Sequence, residues 1–236
     1  MSEPPPTSSR SLFQSWRSRP LIPVLILVVL GALGGFLHMA SEIRELETRP
    51  FDESLLMAMR EPGDTADPIG PPWVEEMARD LTALGGFTVL TLVTLTSFGV
   101  ALLARRQRLA WFGVASVVAG SLLTGILKNG YDRPRPDLVE HSVRVVNPSF
   151  PSGHSTMSAV VYLTLGILLD RTQRQTRAQV FAVSVAVTLT VLVGCSRVYL
   201  GVHWPTDVVA GWLLGGAWAV LFWLVAMKVD PRPPPP

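Results

Sequence analysis

Six apolar runs constrain the architecture of this chain more than any other feature. They cover residues 21–40, 83–104, 109–127, 156–169, 178–195 and 208–227. A helix needs about 20 apolar residues to cross the ~30 Å hydrocarbon core of a bilayer, and all but one of the runs come close to that length. The run at 156–169 is shorter, and it spans only if its helix begins in the preceding Pro-Ser-Gly-His-Ser segment. The pattern predicts an all-α integral membrane protein with six transmembrane helices in a bundle.

The composition agrees with a membrane class, because 48% of the residues are hydrophobic and only 16% are charged. One membrane domain is predicted at 21–228, with a long loop at 41–82 and a core at 109–227 that carries the polar motifs described below. Residues 1–20 are predicted to form a disordered cytoplasmic tail. Residues 229–236 form a second tail, because proline-rich segments stay extended.

Basic residues indicate which side of the membrane each loop occupies. They occur in the N-terminal tail, in the links between runs two and three and between runs four and five, and after run six. With six spans these segments share one side, which the positive-inside rule identifies as the cytoplasm. The loop at 41–82 carries eleven acidic residues and four arginines, a net charge of −7, and is expected outside. Both termini of this multi-pass cell-membrane protein are therefore predicted to be cytoplasmic.

The N-terminal part of the chain carries two further signals. Arginines precede the run at 21–40, as they precede the apolar core of a secretory signal, but such a core is usually only about 7–15 residues long. A retained helix is therefore favoured, and cleavage would not change the side of the other loops. In the loop at 41–82, the segment Phe-Asp-Glu-Ser-Leu-Leu-Met-Ala-Met-Arg-Glu-Pro predicts a short amphipathic helix at the membrane surface.

Two classes of protein are disfavoured by what the sequence lacks. Cys195 is the only cysteine, so an intramolecular disulfide framework and a cysteine-based zinc site are excluded. The sequence has no basic stripe of the kind that binds nucleic acid. Neither a disulfide-rich scaffold nor a nucleic-acid partner is expected.

Three polar blocks interrupt the apolar pattern: Lys-Asn-Gly-Tyr-Asp-Arg-Pro-Arg-Pro at 128–136, Pro-Ser-Gly-His-Ser at 151–155 and Ser-Arg-Val-Tyr-Leu-Gly-Val-His-Trp-Pro-Thr-Asp at 196–207. The first two blocks share one loop. Between the second and the third block the chain crosses the membrane twice, which returns it to the same side. All three blocks are therefore predicted at the outer face, and an error of one span would break this convergence.

The blocks supply groups that bind a tetrahedral dianion. Three cations, with Arg133 as a possible fourth, match phosphate oxygens through charge-assisted hydrogen bonds: Lys128, Arg135 and Arg197. Gly153 lets the backbone approach a ligand closely, and the Ser152 hydroxyl donates a hydrogen bond. The start of the following helix is itself favourable for an anion.

Two histidines add the chemistry of phosphoryl transfer, which needs a nucleophile and a proton donor for the leaving group. Asp207 follows His203 by four residues, so its carboxylate is expected to fix the imidazole tautomer and leave the other nitrogen free to attack. His154 would then be the general acid. The blocks hold few carboxylates among several cations, the opposite of a two-metal site, so neither a metal nor another cofactor is predicted.

Each of these residues also has an ordinary structural explanation. Asp207, with Thr206, could cap the sixth helix, and Ser152 and Ser155 could cap the fourth. Lysine and arginine side chains could anchor helix ends at the interface. Arginines on the outer face nevertheless run against the positive-inside trend, and a bound anion supplies a local reason for them.

The motifs resemble the three signatures of the type 2 phosphatidic acid phosphatase family, also called the lipid phosphate phosphatases. Lys-x6-Arg-Pro, Pro-Ser-Gly-His and Ser-Arg-x5-His-x3-Asp are complete and in order between residues 128 and 207. The family shares its site with vanadium haloperoxidases and bacterial acid phosphatases. The six-run layout is similar to that of its integral-membrane branch.

The resemblance implies a role for each matching position. The phosphate is held by Lys128, Arg135, Ser152, Gly153 and Arg197. His154 protonates the leaving group, His203 becomes a phosphohistidine, and Asp207 supports His203. The expected enzyme is a metal-independent membrane phosphohydrolase whose partners are the bilayer and a lipid phosphate or diphosphate substrate.

The substrate class stays open at this point. Phosphatidate, phosphatidylglycerol phosphate, sphingoid phosphates and undecaprenyl diphosphate are all substrates within the family, and the apolar runs are generic Leu, Val and Ala. The oligomeric state is open as well. The site is expected to face the periplasm or the exterior.

Three other functions compete with hydrolysis. An ion-coupled transporter usually carries ionisable residues at mid-membrane depth, and the six runs have none apart from the terminal His38, although lipid transfer between leaflets stays open. A binding protein with a dead site has no need of an aspartate-supported imidazole. A vanadate-dependent haloperoxidase would use a similar pocket, but the membrane embedding favours lipid substrates.

Overall fold

A computed structural model describes residues 21–139, 147–166 and 176–229. The predicted tail at 1–20, all but the first residue of the tail at 229–236, and most of the link between runs four and five lie outside the described residues. Within them, the chain is mainly helical, and its strands form one small antiparallel pair.

The elements follow in chain order as α1 (Leu21–Arg44), α2 (Arg49–Met57), β1 (Arg60–Glu61), β2 (Asp64–Pro68), α3 (Pro72–Leu84), α4 (Phe87–Leu103), α5 (Gln107–Tyr131), α6 (Gly153–Ser158), α7 (Thr176–Tyr199) and α8 (Pro205–Val229). A π-helical turn, Ala159–Leu163, continues α6. The chain stays helical to residue 166, the last one described before the gap.

Four helices are long and apolar enough to cross a membrane by themselves: Ile22–Arg44, Gln107–Tyr131, Arg177–Tyr199 and Pro205–Val229. The pair α3 and α4 passes the same test together but is bent by 47°. The protein is thus a multi-pass membrane protein with four or five candidate spans among the described residues. The helix of the short fourth run begins at Gly153, inside the segment that its length required. Its far end is not described, so the count of six spans stays a prediction.

The second predicted run, 83–104, is not one helix. It is broken at two glycines: Gly85 ends α3, and Gly86 precedes α4 in an extended conformation with φ −74° and ψ 153°. Tyr162 donates a hydrogen bond of 2.7 Å to the carbonyl of Leu84, one of the groups that the break leaves without a helical partner. The prediction of one continuous span over 83–104 was wrong at its first residues. Paired glycines there favour a change of direction over a continuing helix.

The segment at 41–82 is largely folded. The predicted amphipathic helix is present as α2, with Asp52 and Leu56 buried on one face. β1 and β2 pair in antiparallel register, with Arg60 opposite Pro68. α3 then completes the segment and packs against α7. This ordered segment places α2 and α3 over the end of the bundle where α7 finishes and α8 begins.

α8 is at the centre of the bundle, where it packs against α1, α6 and α7. Two glycines one turn apart allow the close approach of α6. A Cβ on Gly215 would lie 2.6 Å from the carbonyl oxygen of Thr156, and one on Gly211 would lie 3.0 Å from that of Ser152. Such small-residue contacts let helix backbones pack tightly. They bring the start of α6 beside the first turns of α8.

Candidate active site

The three polar blocks meet at one end of the bundle. Lys128 lies in the last turn of α5, and Arg197 lies in the last turn of α7. His154 and Asp207 lie in the first turns of α6 and α8. His203 lies in the short connection between α7 and α8, where Gly201 has a φ of +72° that glycine adopts without strain. The structure therefore brings every candidate residue to the same region.

His203 and Asp207 form the predicted pair. Nδ1 of His203 lies 3.4 Å from Oδ2 of Asp207, and both side chains are almost completely buried. The same carboxylate oxygen accepts a hydrogen bond of 3.0 Å from the backbone N–H of Trp204. The distance to the imidazole is longer than an ordinary hydrogen bond, as catalytic contacts often are before substrate binds. With Nδ1 directed at Asp207, Nε2 is the nitrogen left to react.

Arg135 lies against this second nitrogen. Its Nη1 is 3.2 Å from Nε2 of His203 and also donates to the carbonyl oxygen of Val202. Its Nε donates to the carbonyl oxygen of Asn147 over 2.8 Å. All three acceptors are neutral, so the guanidinium charge has no counter-charge among these contacts.

The other two predicted cations also make neutral contacts. Lys128 donates to the carbonyl oxygen of Pro148, and Nη1 of Arg197 donates to Oγ1 of Thr82 over 2.8 Å. Arg197 is only 3% exposed, and its Nε has no hydrogen-bond partner in the part of the chain that the structure describes. Among those residues, Lys128, Arg135 and Arg197 form no salt bridge with a carboxylate. A buried positive charge without a partner costs free energy, and an anion in this pocket would offset that cost.

Arg133 does not join the phosphate-binding set, and its possible role as a fourth cation there is corrected. Its Nη1 donates to Oδ1 of Asp207 over 2.6 Å, and its Nη2 donates to Oδ2 of Asp52 over 2.8 Å. The guanidinium also lies 5.6 Å from the ring centroid of Trp204. Two carboxylates already engage Arg133, so little of its charge is left for an anion.

Ser152 acts as a helix cap in this structure, as its ordinary explanation predicted. Its Oγ accepts hydrogen bonds from the backbone N–H of Ser155 at 3.4 Å and from the Ser155 hydroxyl at 2.9 Å. Ser152 is fully buried. Gly153 lies beside the lysine, since a Cβ there would be 3.4 Å from Cε of Lys128. Ser152 thus fixes the start of α6, and Gly153 keeps that start close to Lys128.

His154 faces the break between α3 and α4. A Cβ on Gly85 would lie 3.2 Å from Cδ2 of His154 and 2.4 Å from Cγ1 of Val193. Gly85 therefore lies next to the candidate site, and no larger side chain fits there between His154 and α7. The sequence motifs do not include this position, and its signal is the Gly85-Gly86 pair at the start of an apolar run.

Both histidines are held in the neutral form. Burial, together with the smaller effects of the nearby charges of Arg197, Lys128 and Arg135, lowers the pKa of His154 to about 3. Burial likewise places the pKa of His203 well below its usual value, with the same cations adding to the effect.

Asp52 is the second residue that sequence reasoning missed. It belongs to α2, outside the three motifs, and is fully buried. Its Oδ1 accepts from the backbone N–H of Thr206 at 2.9 Å, and its Oδ2 accepts from the Thr206 hydroxyl at 2.7 Å. The signal in the sequence was an acid on the same helical face as an apolar residue, Leu56, four positions later.

The arrangement combines an anion pocket with an oriented imidazole and a second histidine. Among the described residues, no group of three or more His, Cys, Asp and Glu side chains could hold a metal ion. The cations can bind and neutralise a phosphoryl group, Nε2 of His203 can attack it, and His154 can exchange a proton with the oxygen that leaves.

Known proteins are similar to this chain in sequence. Residues 109–230 match the model of the family described as the PAP2 superfamily. Phosphatidylglycerophosphatase B of Bacillus subtilis is 33% identical over 195 residues, which cover 80% of this chain and 89% of that protein. Lipid A 1-phosphatase of Rhizobium etli is 29% identical over 174 residues, which cover 64% of this chain and 71% of that protein.

A solved structure agrees with the sequence relatives. The crystal structure of a transmembrane PAP2 type phosphatidylglycerolphosphate phosphatase from Bacillus subtilis superimposes with a TM-score of 0.78 at 28% identity. The superposition covers 87% of this chain and 98% of that one. The family match, the relative that is 33% identical and the shared fold show that this chain belongs to the PAP2 superfamily and is a phosphatase.

Proposed function

We propose that this enzyme removes phosphate from membrane lipid phosphates or diphosphates through a phosphohistidine intermediate, without a metal ion. One observation carries the proposal. Lys128, Arg135 and Arg197 converge on two neutral histidines, and none of the three cations has a carboxylate partner within the described residues. A dianionic phosphoryl group supplies the missing negative charge.

In the first step, Nε2 of His203 attacks the phosphorus atom and forms a P–N bond. The ester P–O bond breaks, and His154 gives its proton to the departing alkoxide. The ring of His203 keeps the proton on Nδ1, so it becomes positively charged, and the carboxylate of Asp207 stabilises that charge. The three cations stabilise the oxygens of the transferring phosphoryl group.

In the second step, water attacks the phosphorus atom of the intermediate. His154 is now neutral and accepts a proton from the water, while the P–N bond breaks and returns its electron pair to Nε2 of His203. Inorganic phosphate is released. His154 thus serves as acid in the first step and as base in the second.

Substrate binding also has to change two features of the free site. Nη1 of Arg135 lies on Nε2 of His203 and must exchange that contact for a phosphoryl oxygen before the nitrogen can attack. His154 needs a proton that its low pKa denies it in the free enzyme. A bound dianion opposes the charges of the cations that lower this pKa, so binding is coupled to protonation of His154.

A lipid substrate is supported by the position of the site. The candidate site lies at the ends of helices that are long and apolar enough to cross a membrane, so a lipid could present its head group there while its acyl chains stay in the bilayer. The relatives named above are a phosphatidylglycerophosphatase and a lipid A 1-phosphatase. We further propose that this end of the bundle faces away from the cytoplasm, because the arginine-rich link at 105–108 lies at the opposite end of α5 and such links stay in the cytoplasm.

The test is phosphate release from a panel of lipid monophosphates and diphosphates by purified protein in detergent, in the presence of EDTA. We expect release from at least one lipid, with no requirement for added Mg²⁺. A strict metal requirement would contradict the mechanism. Reconstitution into liposomes distinguishes hydrolysis from lipid transfer, since a lipid transporter would move a labelled lipid between leaflets without releasing phosphate.

A further inference from the structure

We propose that Asp52 and Arg133 are positioning residues that hold the carboxylate of Asp207 in the orientation that His203 needs, so that α2 is part of the catalytic apparatus. This inference rests on the proposed function and deepens it. Neither residue belongs to the set that holds phosphate, and neither contacts His203 in the described structure.

The first step of the argument is how the two oxygens of Asp207 are used. Oδ1 accepts from Nη1 of Arg133 at 2.6 Å, whereas Oδ2 accepts from the backbone N–H of Trp204 and faces Nδ1 of His203. Each oxygen therefore has its own donor. A carboxylate held on both sides cannot rotate, and Oδ2 stays directed at the imidazole.

The second step is that Arg133 is itself held in place. Its Nη2 donates to Oδ2 of Asp52, so one guanidinium joins two carboxylates that are both completely buried. The Arg133 side chain is only 11% exposed. Removing Asp52 would leave the guanidinium partly unpaired in a buried site, and Arg133 would be free to move away from Asp207.

The third step is that Asp52 also fixes the backbone of the turn that carries Asp207. It accepts hydrogen bonds from both the backbone N–H and the hydroxyl of Thr206, the second residue of α8. An acidic group at a helix N-terminus satisfies free N–H donors and stabilises the helix dipole. The cap of α8 thus comes from α2, because Asp52 lies 154 positions before Thr206 in the sequence.

A positioning role and a purely stabilising role predict different effects on kcat. If the network only stabilises the fold, its loss lowers the amount of folded protein, and the folded fraction keeps its kcat. If it orients Asp207, the folded fraction loses kcat while KM and phosphate affinity change little. The effect must also vanish when Asp207 can no longer support His203.

The experiment uses the full-length protein in detergent with a lipid phosphate that the wild type hydrolyses. The variants are Asp52→Asn and Arg133→Lys, each alone and combined with Asp207→Asn. Glu53→Gln is the matched control, because it removes a neighbouring acid of α2 whose ion pair is with the exposed Arg49. Thermal unfolding with and without vanadate, as a phosphate analogue, reports whether each variant is folded with an intact pocket.

We expect each single variant to lower kcat by about 10–100-fold, the effect typical of residues that orient a catalytic group through another. KM and the inhibition constant for inorganic phosphate should change by less than about threefold, and Glu53→Gln should resemble the wild type. In the Asp207→Asn background, Asp52→Asn and Arg133→Lys should lower kcat no further, because residues that act through one group are not additive.

Three results would overturn the inference. The first is wild-type kcat in folded Asp52→Asn and Arg133→Lys. The second is a loss that is fully additive with that of Asp207→Asn. The third is a raised phosphate inhibition constant at unchanged kcat, which would place Arg133 in the phosphate site.

If Arg133→Lys fails to fold, the double-mutant cycle of Asp52→Asn with Asp207→Asn decides alone. If wild-type protein releases no phosphate from any lipid, the proposed function fails instead.

Discussion

Nη1 of Arg135 lies 3.2 Å from Nε2 of His203, the imidazole nitrogen that faces away from Asp207. In the free site Arg135, a proposed phosphate ligand, therefore covers the lone pair that is proposed to attack phosphorus. Phosphoryl oxygens are stronger acceptors for a guanidinium than a neutral imidazole is. We therefore expect binding of the substrate to draw Arg135 onto the phosphate and to expose the proposed nucleophile in the same movement.

Replacing His203 removes the proposed nucleophile. We expect His203→Ala to lower kcat by about 10⁴-fold or more, because loss of a nucleophile abolishes the covalent route. Rapid quenching with a ³²P-labelled substrate should trap an acid-labile phosphoenzyme in the wild type and none in the variant. His38→Ala is the control, since His38 lies on α1 with a largely exposed side chain. Wild-type phosphate release by His203→Ala would show that another group attacks.

Replacing His154 removes the proposed proton donor, and the loss should depend on the leaving group. We expect His154→Asn to lower kcat by about 10²–10⁴-fold with an alkyl phosphate, the usual contribution of general acid–base catalysis. The loss in phosphoenzyme formation should be much smaller with p-nitrophenyl phosphate, because that phenolate leaves without protonation. Single-turnover measurements with both substrates test this, and an equal loss for the two would rule out a general acid.

Removing one of the three cations should weaken phosphate binding. A hydrogen bond to a charged group contributes about 1.5–3 kcal/mol, so Arg197→Ala should raise the inhibition constant for inorganic phosphate by about 10–150-fold. Competition assays with the lipid substrate measure the constant. Arg79→Ala is a suitable control, because Arg79 pairs with Glu75 at an exposed position of α3. An unchanged constant in folded Arg197→Ala would exclude Arg197 from the pocket.

Two adjacent glycines of α8 should respond differently to alanine. A Cβ on Gly215 would lie 2.6 Å from both the Thr156 carbonyl oxygen and Cβ of Ala159, whereas one on Gly216 meets nothing within 4 Å. We expect Gly215→Ala to destabilise the protein by about 1–3 kcal/mol through overpacking. Gly216→Ala should be neutral or stabilising by about 0.5–1 kcal/mol, because alanine favours a helix more than glycine does. Thermal unfolding in detergent compares them, and equal effects would contradict the close packing of α6 on α8.

The folded protein should become less stable as the pH falls, because His154 is neutral in the folded state. Its pKa is about 3 in the folded protein and about 6.5 in an unfolded chain. Between these values the unfolded chain binds more protons than the folded one, so acidification favours unfolding. We expect the wild type to lose more stability between pH 7 and pH 5 than His154→Asn does. Thermal unfolding of both proteins across this range measures the difference, and parallel pH profiles would contradict the neutral, buried state of His154.

The helices and the site could be predicted from the sequence to different extents. The spacing of apolar runs predicted α1, α5, α7 and α8, because membrane-spanning helices must satisfy their backbone groups within one continuous segment. The break at Gly85 was missed, because hydropathy averages over a window and does not detect a local change of direction. The start of α6 at Gly153 was predicted by length alone.

The sequence by itself determined which groups are the candidates for the chemistry. Cations, histidines and an aspartate at fixed spacings specify phosphate binding and an oriented imidazole, since these depend on residue type and on neighbours within one helical turn. Only the tertiary structure decided that Arg133 binds Asp207 and Asp52 rather than phosphate, and that α2 caps α8. Those contacts join residues 74 and 154 positions apart, and the partner of a buried charge at such distances is chosen by how the helices pack.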